Sequence, residues 1–326
     1  MLGETRRKTE LLKETEDATV IDQVVGADDP ENNGEYMTEK NPCKTSSLDP
    51  EVKQYRYENG RRYHAYSEGL YWAPNDDKQN EQLDIFHHVY TLVLDGALYL
   101  APIGENLERV LDLGTGTGIW AIDIADKFPN TRVIGNDLSP IQPTWVPSNC
   151  SFEIDDFTKP WEHILNSFNF IHGRARHGSV FSWTCLYKEA YAALKPGGWF
   201  ESVETTIGFY IDDDEGQPTA IGSTTSISQW CRLGIEASER AGRPFGITDK
   251  LKGWMEDALF VNMEENIFKV PIEALEGFTL SLFTRFFDWT ADEVYVLLAG
   301  VRSELRSKDN NFYFKMYVVY GQRPFE

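Results

Sequence analysis

Arg109-Val110-Leu111-Asp112-Leu113-Gly114-Thr115-Gly116-Thr117-Gly118 is a short apolar run that ends in glycines at alternate positions. Val110, Leu111 and Leu113, bounded by that cluster, read as a buried parallel strand. Ile119-Trp120-Ala121-Ile122-Asp123-Ile124-Ala125-Asp126-Lys127-Phe128 follows with helix-compatible apolar spacing, and Pro129-Asn130 stops it. The glycines therefore occupy a strand-to-helix turn, where a backbone without β-carbons admits a ligand and a helix start offers free N–H groups. In a doubly wound sheet this is the nucleotide crevice. The next strand, Arg132-Val133-Ile134-Gly135-Asn136-Asp137, ends in a carboxylate able to hold two ribose hydroxyls. Gly114, Gly116 and Gly118 give G-x-G-x-G, but Gly116 to Ala121 also fits the looser G-x-G-x-x-A, so the turn alone leaves the nucleotide open.

The chain has 326 residues, enough for one large α/β domain with an insertion or for two domains. Its net charge of -21, from 31 basic and 52 acidic residues, disfavours docking on a phosphate backbone. Cys43, Cys150, Cys185 and Cys231 show no C-x-x-C spacing, which points to a reducing compartment and no zinc site. No signal peptide or long apolar run is visible, so an intracellular, cytoplasmic chain without a membrane is expected.

Outward from the turn, residues 1–50 are rich in Glu, Asp, Thr, Asn and Lys without a sustained period, and read as a disordered acidic leader. Residues 51–326 form the domain proper. Within it 51–105 are an aromatic cap or lid and a helix, Glu81 to about Leu100, with Leu83, Phe86, Tyr90, Val93 and Leu94 on one face. His87 and His88, side by side, cannot share a face as metal ligands, so a structural role is expected. Downstream, Phe152-Glu153-Ile154, Phe168-Asn169-Phe170-Ile171 and Trp199 to Glu204 read as strands, with a helix from Trp183 to Leu194. Strand and helix thus alternate at intervals of roughly fifteen to twenty residues, the signature of a mostly parallel sheet covered on both faces. After Glu204 the alternation breaks. Residues 205–258 carry two helices, Ser226 to Ala241 and Asp249 to Ala258, before a strand from Phe260 to Val270, a helix from Thr290 to Ser307 and a last strand from Phe312 to Tyr320.

The glycine turn, Asp137-Leu138-Ser139-Pro140-Ile141-Gln142-Pro143, Phe170-Ile171-His172 and Leu194-Lys195-Pro196-Gly197-Gly198-Trp199 together resemble the fungal LaeA-like branch of the class I S-adenosylmethionine-dependent methyltransferases. The likeness extends to Trp72-Ala73-Pro74-Asn75-Asp76 and to Val318-Val319-Tyr320-Gly321, and covers roughly residues 50 to 325. It implies S-adenosylmethionine as cofactor and a Rossmann-like seven-stranded sheet whose last strand runs antiparallel after a hairpin-like reversal, with a helical insertion after strand five. By that resemblance Gly114, Thr115 and Gly116 approach the methionyl and ribose parts, and Asp112 is a further cofactor-binding residue. Asp137 holds the ribose, Leu138 flanks the adenine, and Asp156 with Phe157 meets its edge. His172 and Gly173 border the sulfonium, while Tyr71 and Trp72 close the pocket.

Such relatives include enzymes of secondary metabolism and a nuclear regulator of secondary-metabolite genes. The regulators carry longer, less acidic leaders, so a small-molecule methyltransferase is the main expectation. A LaeA-type nuclear regulator working through protein partners is the alternative. No catalytic residue is assigned, although His172 and His177 are the nearest candidate bases, a histidine titrating near neutrality. Arg174 and Arg176 are expected to meet an acidic substrate group or to pair with Asp155, Asp156 or other nearby carboxylates. Trp230, Trp254 and Met255 are the residues of the insertion to set against an acceptor pocket, although at helical spacing such residues are more often core.

Overall fold

The computed structural model describes residues 24–26, 55–64, 66, 71–161, 164–212, 217–222, 224–271, 279–306 and 312–326. In chain order the strands begin with β1 (Val24–Gly26), β2 (Arg56–Glu58), β3 (Arg61–Tyr63), β4 (Arg109–Leu113), β5 (Arg132–Asp137) and β6 (Cys150–Ile154). They continue with β7 (Phe168–Arg174), β8 (Leu194–Thr205), β9 (Tyr210–Asp212), β10 (Pro218–Ala220), β11 (Val261–Pro271) and β12 (Tyr313–Gln322). The helices are α1 (Asp77–Val93), α2 (Ile119–Lys127), α3 (Trp183–Ala193), α4 (Ser226–Arg240), α5 (Leu251–Asp257), α6 (Thr279–Phe286) and α7 (Ala291–Leu305).

The frame is the order β6-β5-β4-β7-β8-β12, with β11 pairing on β12. From β6 to β8 every pairing is parallel, and β12 runs antiparallel to both β8 and β11. These are the seven expected strands. Two features differ from the expectation. The reversal between β11 and β12 carries α6 in addition to the expected helix, α7. Short edge strands are also added: β1 beside β6, and β9 and β10 beyond β12. The leader was expected to be disordered; apart from β1, residues 1–50 lie outside the described residues.

Three cores result. Ala121, Ile124 and Trp120 of α2 pack on one face of the sheet, and Trp183, Tyr187 and Ala190 of α3, with Met255 of α5, pack on the other. A third core lies at the end of the sheet, where α1 and Trp72 meet Trp230 of α4 and Val294 and Leu298 of α7. Chain order leaves β4 toward β5 on one side and returns to β7 on the other, so the topological switch point is the crevice at the carboxyl end of β4. The third core roofs that crevice.

The helix α1 starts before the expected Glu81, because Asp76 is its N-cap and accepts from Gln79 N at 3.1 Å. It also stops before Leu100, since Asp95 (φ 54°) and Gly96 (φ 84°) both enter the left-handed region. No helix among the described residues is long and apolar enough to cross a membrane.

Candidate active site

Gly114 (φ 66°) and Gly116 (φ 59°) take left-handed conformations that a β-carbon disfavours. The turn is tied to the end of β5: Gly114 N donates to Asn136 Oδ1 at 3.2 Å, Thr115 N to Asn136 O at 2.8 Å, and Gly116 N to Asp137 Oδ2 at 2.9 Å. Thr115 Oγ1 donates to Asp112 Oδ2 at 2.6 Å, which locks the turn from below. Asp137 Oδ1 accepts from Ser139 N at 3.0 Å. Each carboxylate oxygen thus keeps lone-pair capacity for a further donor. Burial pushes the Asp137 carboxyl up to about 6, outweighing the backbone N–H groups that pull it down.

Residues Tyr71 to Asn75 run over this turn. Trp72 Nε1 donates to Gly178 O at 2.8 Å and the indole packs edge-on against Phe245. Asn75 Nδ2 donates to Ser139 Oγ at 3.3 Å and its carbonyl accepts from Arg62, while Arg61 forks onto Asp76 at 2.6 and 2.9 Å. The β2–β3 hairpin turns on Asn59 and Gly60, both at positive φ, and presents these arginines. The cap is therefore held at both ends.

Beneath it lies a cleft of about 1330 Å³, open mouth included. One end is lined by Tyr71, Gly114 to Thr117 and Asp137, and the other by Phe86, Tyr90, Ile207, Phe209, Trp230 and Phe314. A smaller recess adjoins it at Tyr71, Gly114 and Asp137, lined further by Leu138, Asp156 and Phe157. There Asp156 Oδ1 accepts from both the amide and the hydroxyl of Thr158, at 3.0 and 2.6 Å, and the Phe157 ring lies against Gly114. The Tyr71 hydroxyl, at the junction, is raised well above its usual range by burial.

A glycine turn, a carboxylate at the end of the next strand and a polar recess beside them are the features to set against known proteins. Residues 85–264 match the family model described as methyltransferase domain. The methyltransferase pytC of Aspergillus terreus is 37% identical, over 86% of this chain and 91% of its own length. The secondary metabolism regulator laeA of Monascus pilosus is also 37% identical, over 84% of this chain and 80% of its own. The protein-methionine methyltransferase laeA of Emericella nidulans is 33% identical, over 85% and 79%. The chain belongs to the fungal LaeA-like class I S-adenosylmethionine-dependent methyltransferases.

In this methyltransferase most of the residues singled out from sequence converge. Tyr71, Gly114, Thr115, Gly116, Asp137, Leu138, Asp156 and Phe157 all line the cleft or its recess. Asp112 does not. It is buried below the turn, where Thr115 and His172 take its two oxygens, and it positions the turn.

His172 is a correction. Asp112 and His172 are register partners on β4 and β7, so both side chains point to the α2 face. His172 Nδ1 meets Asp112 Oδ1 at 2.8 Å, and the ring stacks on Trp120 at 3.7 Å. With 1% exposure it lies away from the cleft, and burial depresses its pKa to about 4. The ring does not line the cleft, so the structure supports neither its expected place beside the sulfonium nor a role as base. Its neighbour in the next strand, Glu201, is also buried and raised to about 7, and its Oε2 clamps the amides of Leu100 and Ala101 at 2.7 Å each.

Trp254 and Met255 belong to the core, the more frequent place for residues at helical spacing. Trp254 stacks on Trp183, and Met255 is fully buried among residues of the α3 face, so of the three insertion residues only Trp230 reaches the cleft. Of the carboxylates within its reach, Arg176 pairs with Glu204, at 3.3 Å. Arg174 does line the cleft, over the Tyr90 ring at 4.7 Å and 3.1 Å from His87 Nδ1. His87 joins α1 to α2 through Asp123 at 2.9 Å, a structural role as expected. Sequence reasoning missed Glu204, Gln79 and the Thr205–Phe209 wall. The wall was legible only as the end of β8.

Proposed function

We propose that this methyltransferase alkylates a small, largely apolar molecule held between Phe86, Tyr90, Phe209 and Trp230. The cofactor, when bound, supplies an activated methyl group on a sulfonium. In this reading Asp137 accepts from the ribose hydroxyls, Leu138 and Phe157 flank the adenine, Asp156 meets its edge, and Tyr71 closes the junction. The lone pairs left on Asp137 and the β-carbon-free backbone at Gly114 and Gly116 fit that group.

The observation that carries the proposal is the apolar chamber continuous with the glycine turn under one cap. One cleft borders both the glycine turn with Asp137 and the aromatic wall of Phe86, Tyr90, Phe209 and Trp230, which suits a cofactor with an acceptor beside it. Similarity does not choose between acceptors, since pytC and the Monascus laeA are equally identical to this chain. The enzyme's task is to hold a nucleophile behind the methyl group and exclude water, which is worth roughly 7–11 kcal/mol. The Trp72–Asn75 strap and the aromatic walls do both.

The test is the fate of a radiolabelled methyl group in an extract incubated with the protein and labelled S-adenosylmethionine. Label should partition into organic-extractable metabolites. Label retained on protein would instead favour the regulator reading, in which the acceptor is a partner or the chain itself.

A further inference from the structure

His177 and Glu204 form a pair that the cofactor site does not account for. Glu204, on β8, is fully buried, yet its carboxylate has a complete set of partners. Oε1 accepts from Arg176 N at 3.0 Å and faces Arg176 Nε at 3.3 Å; Oε2 accepts from His177 N at 3.0 Å and meets His177 Nδ1 at 3.1 Å. A carboxylate whose two oxygens already accept from backbone amides dictates the tautomer of the ring it touches: Nδ1 carries the proton and donates, and Nε2 is left as an acceptor. His177 lines the cleft, and Phe245 packs edge-on against its ring at 5.4 Å, so the ring is braced as well as bonded. The residue sits just past the end of β7, beyond the kink at Ala175 (φ 54°), which turns the chain back toward the glycine turn.

We infer that His177 is the general base of the methyl transfer, that Glu204 is its positioning residue, and that the acceptor is therefore a molecule with an acidic hydroxyl, of the phenol or enol class. A base has work only where the acceptor must lose a proton; a thioether acceptor has none to give. As the acceptor oxygen bonds to the methyl carbon, the carbon–sulfonium bond breaks and its electron pair stays on sulfur. The hydroxyl proton passes to His177 Nε2, and the resulting imidazolium is stabilised by the Glu204 carboxylate behind it. This inference rests on the small-molecule reading and names the substrate class of that same site.

The test compares the whole chain with its His177→Gln variant on a panel of phenols, with matched anilines and thioethers, at saturating S-adenosylmethionine. With phenols, kcat should fall by about 10²–10⁴-fold, while calorimetric affinity for S-adenosylmethionine is unchanged. Nitrogen NMR of the unliganded protein gives a readout apart from turnover: His177 should be the Nδ1–H tautomer, and Glu204→Gln should weaken that preference. Phenol turnover unchanged in His177→Gln would overturn the inference, as would transfer to the anilines or thioethers alone. An Nε2–H tautomer would overturn it too. If S-adenosylmethionine binds and no probe of any class is methylated, the small-molecule reading falls, and this inference with it.

Discussion

Asp137→Ala should weaken S-adenosylmethionine binding by roughly 100-fold or more while the protein stays folded. Two ribose hydroxyls donating to an ionised carboxylate contribute about 1.5–3 kcal/mol each, and every 1.4 kcal/mol is tenfold in affinity. The same carboxylate fixes Gly116 N and Ser139 N, so its loss also loosens the turn that receives the methionyl part. Asn is not a substitute, because its amide nitrogen would face a backbone N–H with no acceptor between them. The Asp137 carboxyl titrates near 6, so its ionised, accepting form prevails above that value. Affinity for the cofactor should therefore fall as pH drops through about 6, and the Ala variant should lose that dependence. Calorimetric titration across pH 5–8 measures both effects; an affinity unaltered by the substitution would remove Asp137 from the ribose site.

Gly118→Ala should cost roughly 2–5 kcal/mol of stability, more than the loss of most surface contacts. Gly118 has φ 81°, where a side chain costs about 1–2 kcal/mol, and an added β-carbon would lie 2.4 Å from Phe152 Cζ. Phe152 is buried in β6 between the sheet and α2, so relief requires repacking of roughly 1–3 kcal/mol. Gly104→Ala, at a site with open space and no left-handed backbone, is the control and should be nearly neutral. Chemical denaturation gives the difference. Equal stability of the two variants would mean that Gly118 is not a packing glycine.

This second case shows where sequence reading reaches its limit. The glycine spacing identified the turn, and the alternation of strands and helices placed β4, β5, β7 and β8 close to where they lie. It did not reveal that Gly114 and Gly116 face the cleft while Gly118 faces Phe152, since that depends on a strand distant in sequence. His172 failed for a related reason. In a strand one position decides the face, and the register of β7 on β4 turns His172 toward Asp112 and Trp120. The partnership of His177 with Glu204 needs the end of β8 to lie beside the loop after β7, which no local pattern encodes. The three insertion residues were equally apolar on paper; only the packing of α4 against α7, and of α5 against α3, separates Trp230 from Trp254 and Met255.

The most direct measurement is a crystal structure of the protein with S-adenosylhomocysteine. The account predicts the ribose hydroxyls on Asp137, the adenine in the recess of Leu138, Asp156 and Phe157, and the thioether sulfur opening toward His177, Tyr90 and Trp230. An adenine outside that recess, or a sulfur turned away from the apolar chamber, would contradict it.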